Sequence, residues 1–166
     1  MKRAITVLAL AACLPLVGCA SKTITEPLVV GDRITLEGLS NQYGETFDSG
    51  SELKNLLFVT GMGAKDLAQT SLKSIDKNCM EQGELVYLAD ISGMPSLISK
   101  MVAIPKMKNY DYPILLDKEG SISAKLPAKE DQVTLVKLDQ NMIQSTQFFA
   151  DSITLTQALI SVCSPK

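Results

Sequence analysis

Two short apolar runs on either side of a helical stretch constrain the fold of this chain more than any other feature. The first run covers residues 56–60 and the second covers residues 85–91, and both have the character of strands buried on both faces of a sheet. After a break at residues 61–63, the apolar spacing predicts a helix over residues 64–80 that is ended by Gly83. A strand, a helix and a strand in this order form a right-handed crossover, which makes the two strands parallel.

The other predicted elements complete a mixed sheet. Residues 29–39 are predicted to form a short strand, closed by a turn over residues 40–44. Pro95 is expected to open a helix that runs to about Ile104, where Pro105 stops or kinks it. A strand, a β-hairpin turning at Gln140-Asn141 and a last helix with a Thr-x-x-Gln capping box follow, at residues 114–117, 133–149 and 154–163. The predicted fold class is α/β, a mixed β-sheet with helices on both faces.

Composition excludes several classes of function. The 166 residues allow one ordinary domain, and 46% hydrophobic with 20% charged residues is typical of a globular chain. A formal net charge of −2 offers no basic face for nucleic acid. The chain has no histidine, which excludes Ser-His-Asp and Cys-His catalytic sites and histidine-ligated metals. We therefore predict no nucleic-acid partner, no metal and no cofactor.

The first nineteen residues resemble the signal sequence of bacterial lipoproteins. Two basic residues precede an apolar core over residues 5–15, which is shorter than the roughly 20 residues needed to span a bilayer. The following Leu16-Val17-Gly18-Cys19 resembles a lipobox. This resemblance implies cleavage before Cys19 and attachment of fatty acyl chains such as palmitate, which anchor a domain because each buried CH₂ adds about 0.8 kcal/mol. A cleaved secretory signal with an incidental cysteine is the alternative.

The same resemblance divides the chain and predicts its location. Residues 1–18 are expected to be the signal peptide, residues 19–27 the lipidated cysteine and a polar tether, and residues 28–166 the folded domain. Ala20 and Ser21 follow the cysteine, and by resemblance to lipoprotein sorting the lack of Asp there favours the outer membrane, with the domain facing the periplasm. A Gram-positive cell surface is the alternative.

Two cysteines, Cys79 and Cys163, are left for the mature domain. Both lie on apolar stripes of predicted helices. Two thiols in an oxidising compartment are a candidate disulfide, and separate buried thiols are the alternative. A redox-active role is less expected because catalytic pairs are usually close in sequence at a helix start.

The order of elements, together with three short motifs, resembles the thioredoxin-like fold. The motifs are Val30-Gly31-Asp32, a Tyr-Pro-x-x-x-Asp-x-x-Gly stretch over residues 112–120 and a Val-Thr-Leu-Val-x-Leu-Asp strand over residues 133–139. They are most similar to the TlpA and peroxiredoxin branches, and residues 61–66 also resemble the Gly-rich segment of YtfJ-type periplasmic proteins. The resemblance covers roughly residues 28–163. It implies that the first and last helices share a sheet face, which makes a bridge between the two cysteines plausible.

The redox residues of that family are missing here. In active members a Cys-x-x-Cys motif or a peroxidatic cysteine lies where the first core strand turns into a helix, because the helix N-terminus lowers the thiol pKa. The corresponding residues 60–66 contain no cysteine. The family also has a cis-proline before the strand that begins here at Val133, and Val133 itself occupies the aligned position. Thiol–disulfide exchange by the family mechanism is therefore not expected.

The predicted function is that of a membrane-anchored, redox-inactive binding or scaffold domain. Its groove for a protein or peptide is expected near the start of the first helix, at Gly61, Met62, Gly63, Lys65 and Val133. One alternative is a thiol oxidoreductase or peroxidase-like protein that uses Cys79 or Cys163. A weaker one is binding of a small anion by the backbone N–H groups of the Gly61–Gly63 turn. The methionines at positions 94, 101 and 107 are interpreted as core filler, with a soft partner-binding surface as the alternative.

Overall fold

The computed structural model describes residues 26–48, 50, 52–76 and 78–164, so the predicted signal peptide and Cys19 lie outside the described residues. The described strands are β1 (Ser40–Asn41), β2 (Asn55–Val59), β3 (Val86–Asp90), β4 (Leu115–Asp117), β5 (Val133–Asp139) and β6 (Met142–Phe149). The described α-helices are α1 (Met62–Leu72), α2 (Asn78–Glu81), α3 (Ser96–Ile98), α4 (Ile104–Met107) and α5 (Ser152–Cys163). A π-helical turn, Ser99–Ala103, joins α3 to α4, and a 3-10 turn, Ser123–Lys125, follows β4.

The strands form one mixed sheet in the order β1-β4-β3-β2-β5-β6. β2 pairs with β3 in parallel, with Leu57 opposite Tyr87, and β3 pairs with β4 in parallel. The other neighbouring strands are antiparallel, and β5 and β6 form the predicted hairpin. The α/β class, the parallel crossover and the mixed sheet predicted from the sequence are confirmed.

Each face of the sheet has its own apolar core because alternate residues of a strand point to opposite sides. On β2, Leu57 and Val59 belong to one cluster, whereas Leu56 and Phe58 belong to the other. The first cluster includes residues of α1, α2 and α5, with Ile104 and Met107 of α4 packed against it. The second cluster is covered by the N-terminal segment and the residues beside the 3-10 turn, namely Ile34, Leu36, Leu39, Ile122 and Leu126. On this second face, helix among the described residues is limited to the 3-10 turn.

Residues 29–39 do not form the predicted strand. They contain turns at Gly31 and Gly38, both with positive φ, and a single bridge from Arg33 to Met142. Ile34 and Leu36 are nevertheless buried against the sheet face, and the backbone of residues 31–34 makes hydrogen bonds to Asn141 and Ile143 at the start of β6 without forming a continuous strand. The short strand that does form is β1, inside the predicted turn.

Two helix boundaries also differ from the prediction. α1 ends at Leu72 instead of reaching Met80, and a separate α2 begins at Asn78, whose N–H donates to the Asp76 carboxylate at 3.0 Å. Pro105 does not stop its helix, because the π-helical turn leads directly into α4, where Pro105 lies in the first turn. Proline has no N–H to donate, and the π-helical turn just before Pro105 is where the usual i→i−4 hydrogen-bond ladder of this helix is already interrupted. We call residues 96–107 the composite helix below.

Candidate functional site

The junction where β2 passes into α1 lies at the carboxyl end of the central parallel strands. Gly61 precedes the helix with φ of 79°, a conformation that a side chain would strain. Val59 and Ala64 on either side are buried and fix the junction to the core. The first helical residue, Met62, projects into solvent. The predicted break at residues 61–63 is therefore a tight turn, and its conformation favours glycine at Gly61.

A cleft of about 600 Å³ opens beside this junction. One wall is the start of α1, and the other is the loop after β3 up to Pro95, together with Met107 and Tyr110. Most of its lining is apolar, with polar groups concentrated where the strands end. The lining residues are Val59, Thr60, Gly61, Met62, Lys65, Gln69, Tyr87, Ala89, Asp90, Ile91, Ser92, Gly93, Met94, Pro95, Met107, Tyr110 and Ile114.

The structure brings together some of the predicted groove residues and leaves out others. Gly61, Met62 and Lys65 line the cleft. Val133 does not, since its side chain is fully buried in the core cluster beneath α1 and α5. Its place in the predicted groove is therefore wrong, and the physical reason is that the first residue of β5 faces inward. Gly63 also lies outside the cleft lining, because it faces a different loop.

That loop places Asp131 against Gly63. Asp131 has φ of 54°, and a Cβ added to Gly63 would lie 2.8 Å from its carboxyl carbon. The carboxylate therefore packs on the first turn of α1, where a helix N-terminus favours negative charge. An incoming anion at the Gly61–Gly63 turn would meet this charge. The arrangement disfavours the small-anion alternative.

The polar rim of the cleft is built around Asp90 at the end of β3. Its carboxylate accepts hydrogen bonds from the N–H and Oγ of Ser92, at 2.9 and 2.7 Å, and a longer one from Thr60 Oγ1 at 3.4 Å. Lys65 pairs with its neighbour Asp66 at 2.9 Å. Each of these polar groups already has a partner in the protein, so the rim of this mostly apolar cleft is polar and internally paired.

Two tyrosines, Tyr87 and Tyr110, line the cleft. Tyr110 lines it and receives a hydrogen bond from the Gln69 amide, while Tyr112 stacks behind Tyr110 at a centroid distance of 5.6 Å. Burial raises the pKa of Tyr112 to about 12, with a further contribution from Tyr110. Burial also raises the pKa of Tyr87. Both phenols stay neutral at physiological pH, and of the two only Tyr87 lines the cleft.

The wall that follows β3 was not among the predicted groove residues. The signal was available, because ligands of open α/β sheets bind beyond the carboxyl ends of the strands. The predicted parallel crossover already placed residues 90–95 beside the turn at Gly61. Tyr110 and Gln69 carried no comparable signal, since only packing brings them together.

Cys79 and Cys163 are joined by a disulfide, with 5.2 Å between their Cα atoms. Cys79 lies in α2, just before β3, and Cys163 ends α5. Because α1 runs back from the carboxyl end of β2 toward the amino end of β3, the bridge lies at the opposite end of the sheet from the cleft. Cys79 is only 4% exposed and belongs to the same core cluster as α1 and α5. The arrangement is that of a bond between packed helices.

Two kinds of site have no counterpart in the part of the chain that the structure describes. No group of three or more His, Cys, Asp or Glu side chains there is placed to hold a metal ion. None of the described helices has the length and apolar character needed to cross a membrane.

No family model matches the chain, and no curated protein matches it. Among solved structures it is similar to a candidate protein disulfide isomerase from Bacteroides thetaiotaomicron, with 16% identity and a TM-score of 0.51 over 84% of this chain and 89% of that one. It is also similar to a secreted Mycobacterium tuberculosis disulfide oxidoreductase homologous to E. coli DsbE, with 16% identity and a TM-score of 0.50 over 78% of this chain and 96% of that one. At such identities the similarity shows the architecture alone, and the fold of this chain is thioredoxin-like.

Proposed function

We propose that this chain is a lipid-anchored binding domain whose cleft holds an extended peptide segment with apolar side chains. One observation carries the proposal. The strand-to-helix junction, where active thioredoxin-like proteins hold their reactive cysteine, has none here and opens instead onto a mostly apolar cleft. Methionine side chains border the cleft at Met62, Met94 and Met107, and such flexible, polarisable groups adapt to different apolar partners.

The position of the disulfide supports a role without thiol exchange. Cys79 is buried among core residues, and the bridge is remote from the cleft. A reactive pair would need an exposed thiolate of low pKa at a helix start. Here Cys163 lies at the end of α5 instead, where the helix dipole opposes a thiolate.

The lipobox resemblance supports the location proposed for this domain. Acylation at Cys19 would tether residues 28–166 to the periplasmic side of the outer membrane through the segment that ends at Pro27. Intact-mass spectrometry of the chain purified from bacterial membranes tests this directly. A mass increase matching acyl chains on Cys19, absent from a Cys19→Ala variant, is expected. An unmodified cysteine on the mature chain would contradict the anchor.

Peptide binding is tested with a displayed library of random linear peptides, followed by affinity measurement on the enriched sequences. We expect enrichment of Leu, Phe and Met. Met62→Glu should weaken binding about tenfold or more, because a carboxylate would be desolvated at the cleft rim. Val30→Glu is the matched control, since both side chains are 65% exposed but Val30 lies outside the cleft. No enrichment, or equal losses in the two variants, would contradict the proposal.

A thiol oxidoreductase that uses Cys79 and Cys163 is the second candidate. The observation in its favour is that the two cysteines are paired and Cys163 is only partly buried. Equilibration with glutathione and dithiothreitol buffers distinguishes the two functions. We expect a reduction potential below about −300 mV, as for structural disulfides. A higher potential together with reduction of insulin would favour the oxidoreductase.

A further inference from the structure

The composite helix is apolar on two opposite sides. Its inner side packs against the body of the domain through Ile104 and Met107, and Ser99 on that side is buried. The neighbouring loop is held by Gln42 and Tyr43, whose side chains donate hydrogen bonds to backbone carbonyls between residues 107 and 112. The inner side holds the helix on the domain, and the apolar residues on the outer side take no part in that contact.

The outer side carries four large apolar side chains within six residues. Leu97, Ile98, Met101 and Val102 are spaced as i, i+1, i+4 and i+5, which places them on one face of a helix. Each is about half exposed or more, and Met101 is 69% exposed. Clustered apolar exposure of this kind marks an interaction surface, whereas single exposed residues do not.

Basic residues surround this apolar face. Lys100, Lys106 and Lys108 are exposed, and residues 91–110 contain no Asp or Glu. Neither Lys100 nor Lys106 has an ion-pair partner among the described residues. The whole chain has a net charge of −2, so this stretch is a local basic surface on an otherwise acidic protein.

We propose that the outer face of the composite helix docks on an anionic lipid surface. Apolar side chains flanked by lysines are the chemistry of helices that lie in the plane of a membrane interface, with the lysines at the level of the headgroups. Charge complementarity favours anionic lipid, and the acidic remainder of the chain orients the basic side toward it. The inference rests on the proposed anchor for one point only: a tether of nine residues reaches about 30 Å, which keeps the domain beside the membrane.

The test uses the full chain mixed with vesicles of phosphatidylcholine alone or of phosphatidylcholine with phosphatidylglycerol. An environment-sensitive fluorophore is attached at Met101→Cys, with the native disulfide kept oxidised. The matched control carries the fluorophore at Ile153→Cys on α5, because the two side chains are 69% and 70% exposed. Co-sedimentation reports whether the chain is on the vesicles, and the emission reports whether the labelled position contacts lipid.

We expect the label at position 101 to report an apolar environment in the anionic vesicles only, and the label at position 153 to stay in water. Replacing Lys100, Lys106 and Lys108 together by Gln should weaken this contact. The ratio of molecules whose label at position 101 contacts lipid to molecules whose label stays in water should fall about 100-fold. If the chain co-sediments with vesicles but the label at position 101 stays in water, the docking proposal is overturned and the anchor is not. That result is expected if the outer face binds a protein instead of lipid. Equal contact in both vesicle types would overturn the role of lipid charge. Absence of co-sedimentation would contradict both the anchor and the docking, while the peptide assay would still report on the cleft.

Discussion

Gly63 and Asp131 fix the shape of the turn where β2 passes into α1. The Asp131 side chain lies so close to the Gly63 Cα that an added Cβ would come within 3.1 Å of three of its atoms. Glycine is therefore needed at position 63 for space, whereas Gly61 needs it for a positive φ. The two positions of the turn therefore require glycine for different physical reasons.

A double-mutant cycle tests this contact. Gly63→Ala should lower the free energy of unfolding by about 1–3 kcal/mol, because the new methyl group displaces Asp131. Adding Asp131→Gly should restore most of the lost free energy of unfolding in the double variant. Glycine at position 131 tolerates the positive φ, and alanine at position 63 is a better helix former than glycine. Urea unfolding of the four proteins measures the coupling. Additive effects would mean that the two residues do not meet.

Asp117 explains the Tyr-Pro-x-x-x-Asp-x-x-Gly motif in structural terms. Its buried carboxylate accepts hydrogen bonds from the backbone N–H groups of Gly120, Ile122 and Ser123 at 2.8, 3.0 and 2.7 Å. Burial by itself would raise the pKa of Asp117, but these hydrogen bonds outweigh burial and hold the pKa below its ordinary value. The motif therefore closes the turn after β4.

Asp117→Asn should lower the free energy of unfolding by about 2–3 kcal/mol at neutral pH, because a charged acceptor of three hydrogen bonds is lost. A lowered pKa in the folded state gives a contribution that is present above the ordinary pKa and lost as the pH falls through the lowered one. The difference between the two proteins should therefore narrow below about pH 4. Chemical unfolding across pH measures it, and a difference that does not change with pH would contradict the role of the charge.

At the level of the element, the N-cap of α5 lies three residues before the predicted cap, Thr154. Asp151 is the cap, and its carboxylate accepts from the N–H groups of Ile153 and Thr154 at 3.0 and 2.9 Å. Thr154 is inside the helix, and its hydroxyl donates to the same carboxylate. Both Asp and Thr are good caps, so the local pattern alone allowed two starting points.

Asp151→Ala should lower the Tm by about 2–4 °C, because two backbone N–H groups lose their acceptor. The hydrogen bond from Thr154 is the main cause that lowers the pKa of Asp151, so the difference should shrink in acid. Glu37→Ala is the control, since it removes one exposed carboxylate outside any helix. Thermal unfolding by circular dichroism compares them. Equal decreases in Tm for Asp151→Ala and Glu37→Ala would indicate an effect of net charge and would contradict the role of Asp151 as a cap.

At the level of the whole molecule, the disulfide joins two elements that are distant in sequence. It closes a loop with a separation of 84 residues and ties α2 to the end of α5. On the chain-entropy account, a closed loop of this length restricts the unfolded chain and stabilises the fold by about 4–5 kcal/mol, as an upper figure.

Replacing both cysteines by Ala should therefore lower the free energy of unfolding by up to about 4–5 kcal/mol. Under conditions where the variant is folded, it should still bind peptide at the cleft. Binding depends on the opposite end of the sheet, so the two measurements should separate. Urea unfolding and peptide titration of the same variant check this. Loss of binding by a folded variant would link the bridge to the site.

Much of the fold could be predicted because its signals are local. The hairpin turn at Gln140 and Asn141 has positive φ at both residues and lies where the sequence placed it. The apolar runs predicted β2 and β3 because a buried parallel strand has little choice of residue types. Residues 29–39 misled the prediction because their alternation reflects burial on a face, which strands and extended loops share.

The amino-acid sequence by itself determined the parallel crossover, the hairpin and the absence of cysteine from the strand-to-helix junction. These depend on residue types and on backbone preferences within a few positions along the chain. Only the tertiary structure decided that Val133 faces the core, that Tyr110 completes the cleft, and that the outer face of the composite helix has no packing partner among the described residues. The physical reason is that the direction in which a side chain faces depends on elements packed from distant parts of the sequence.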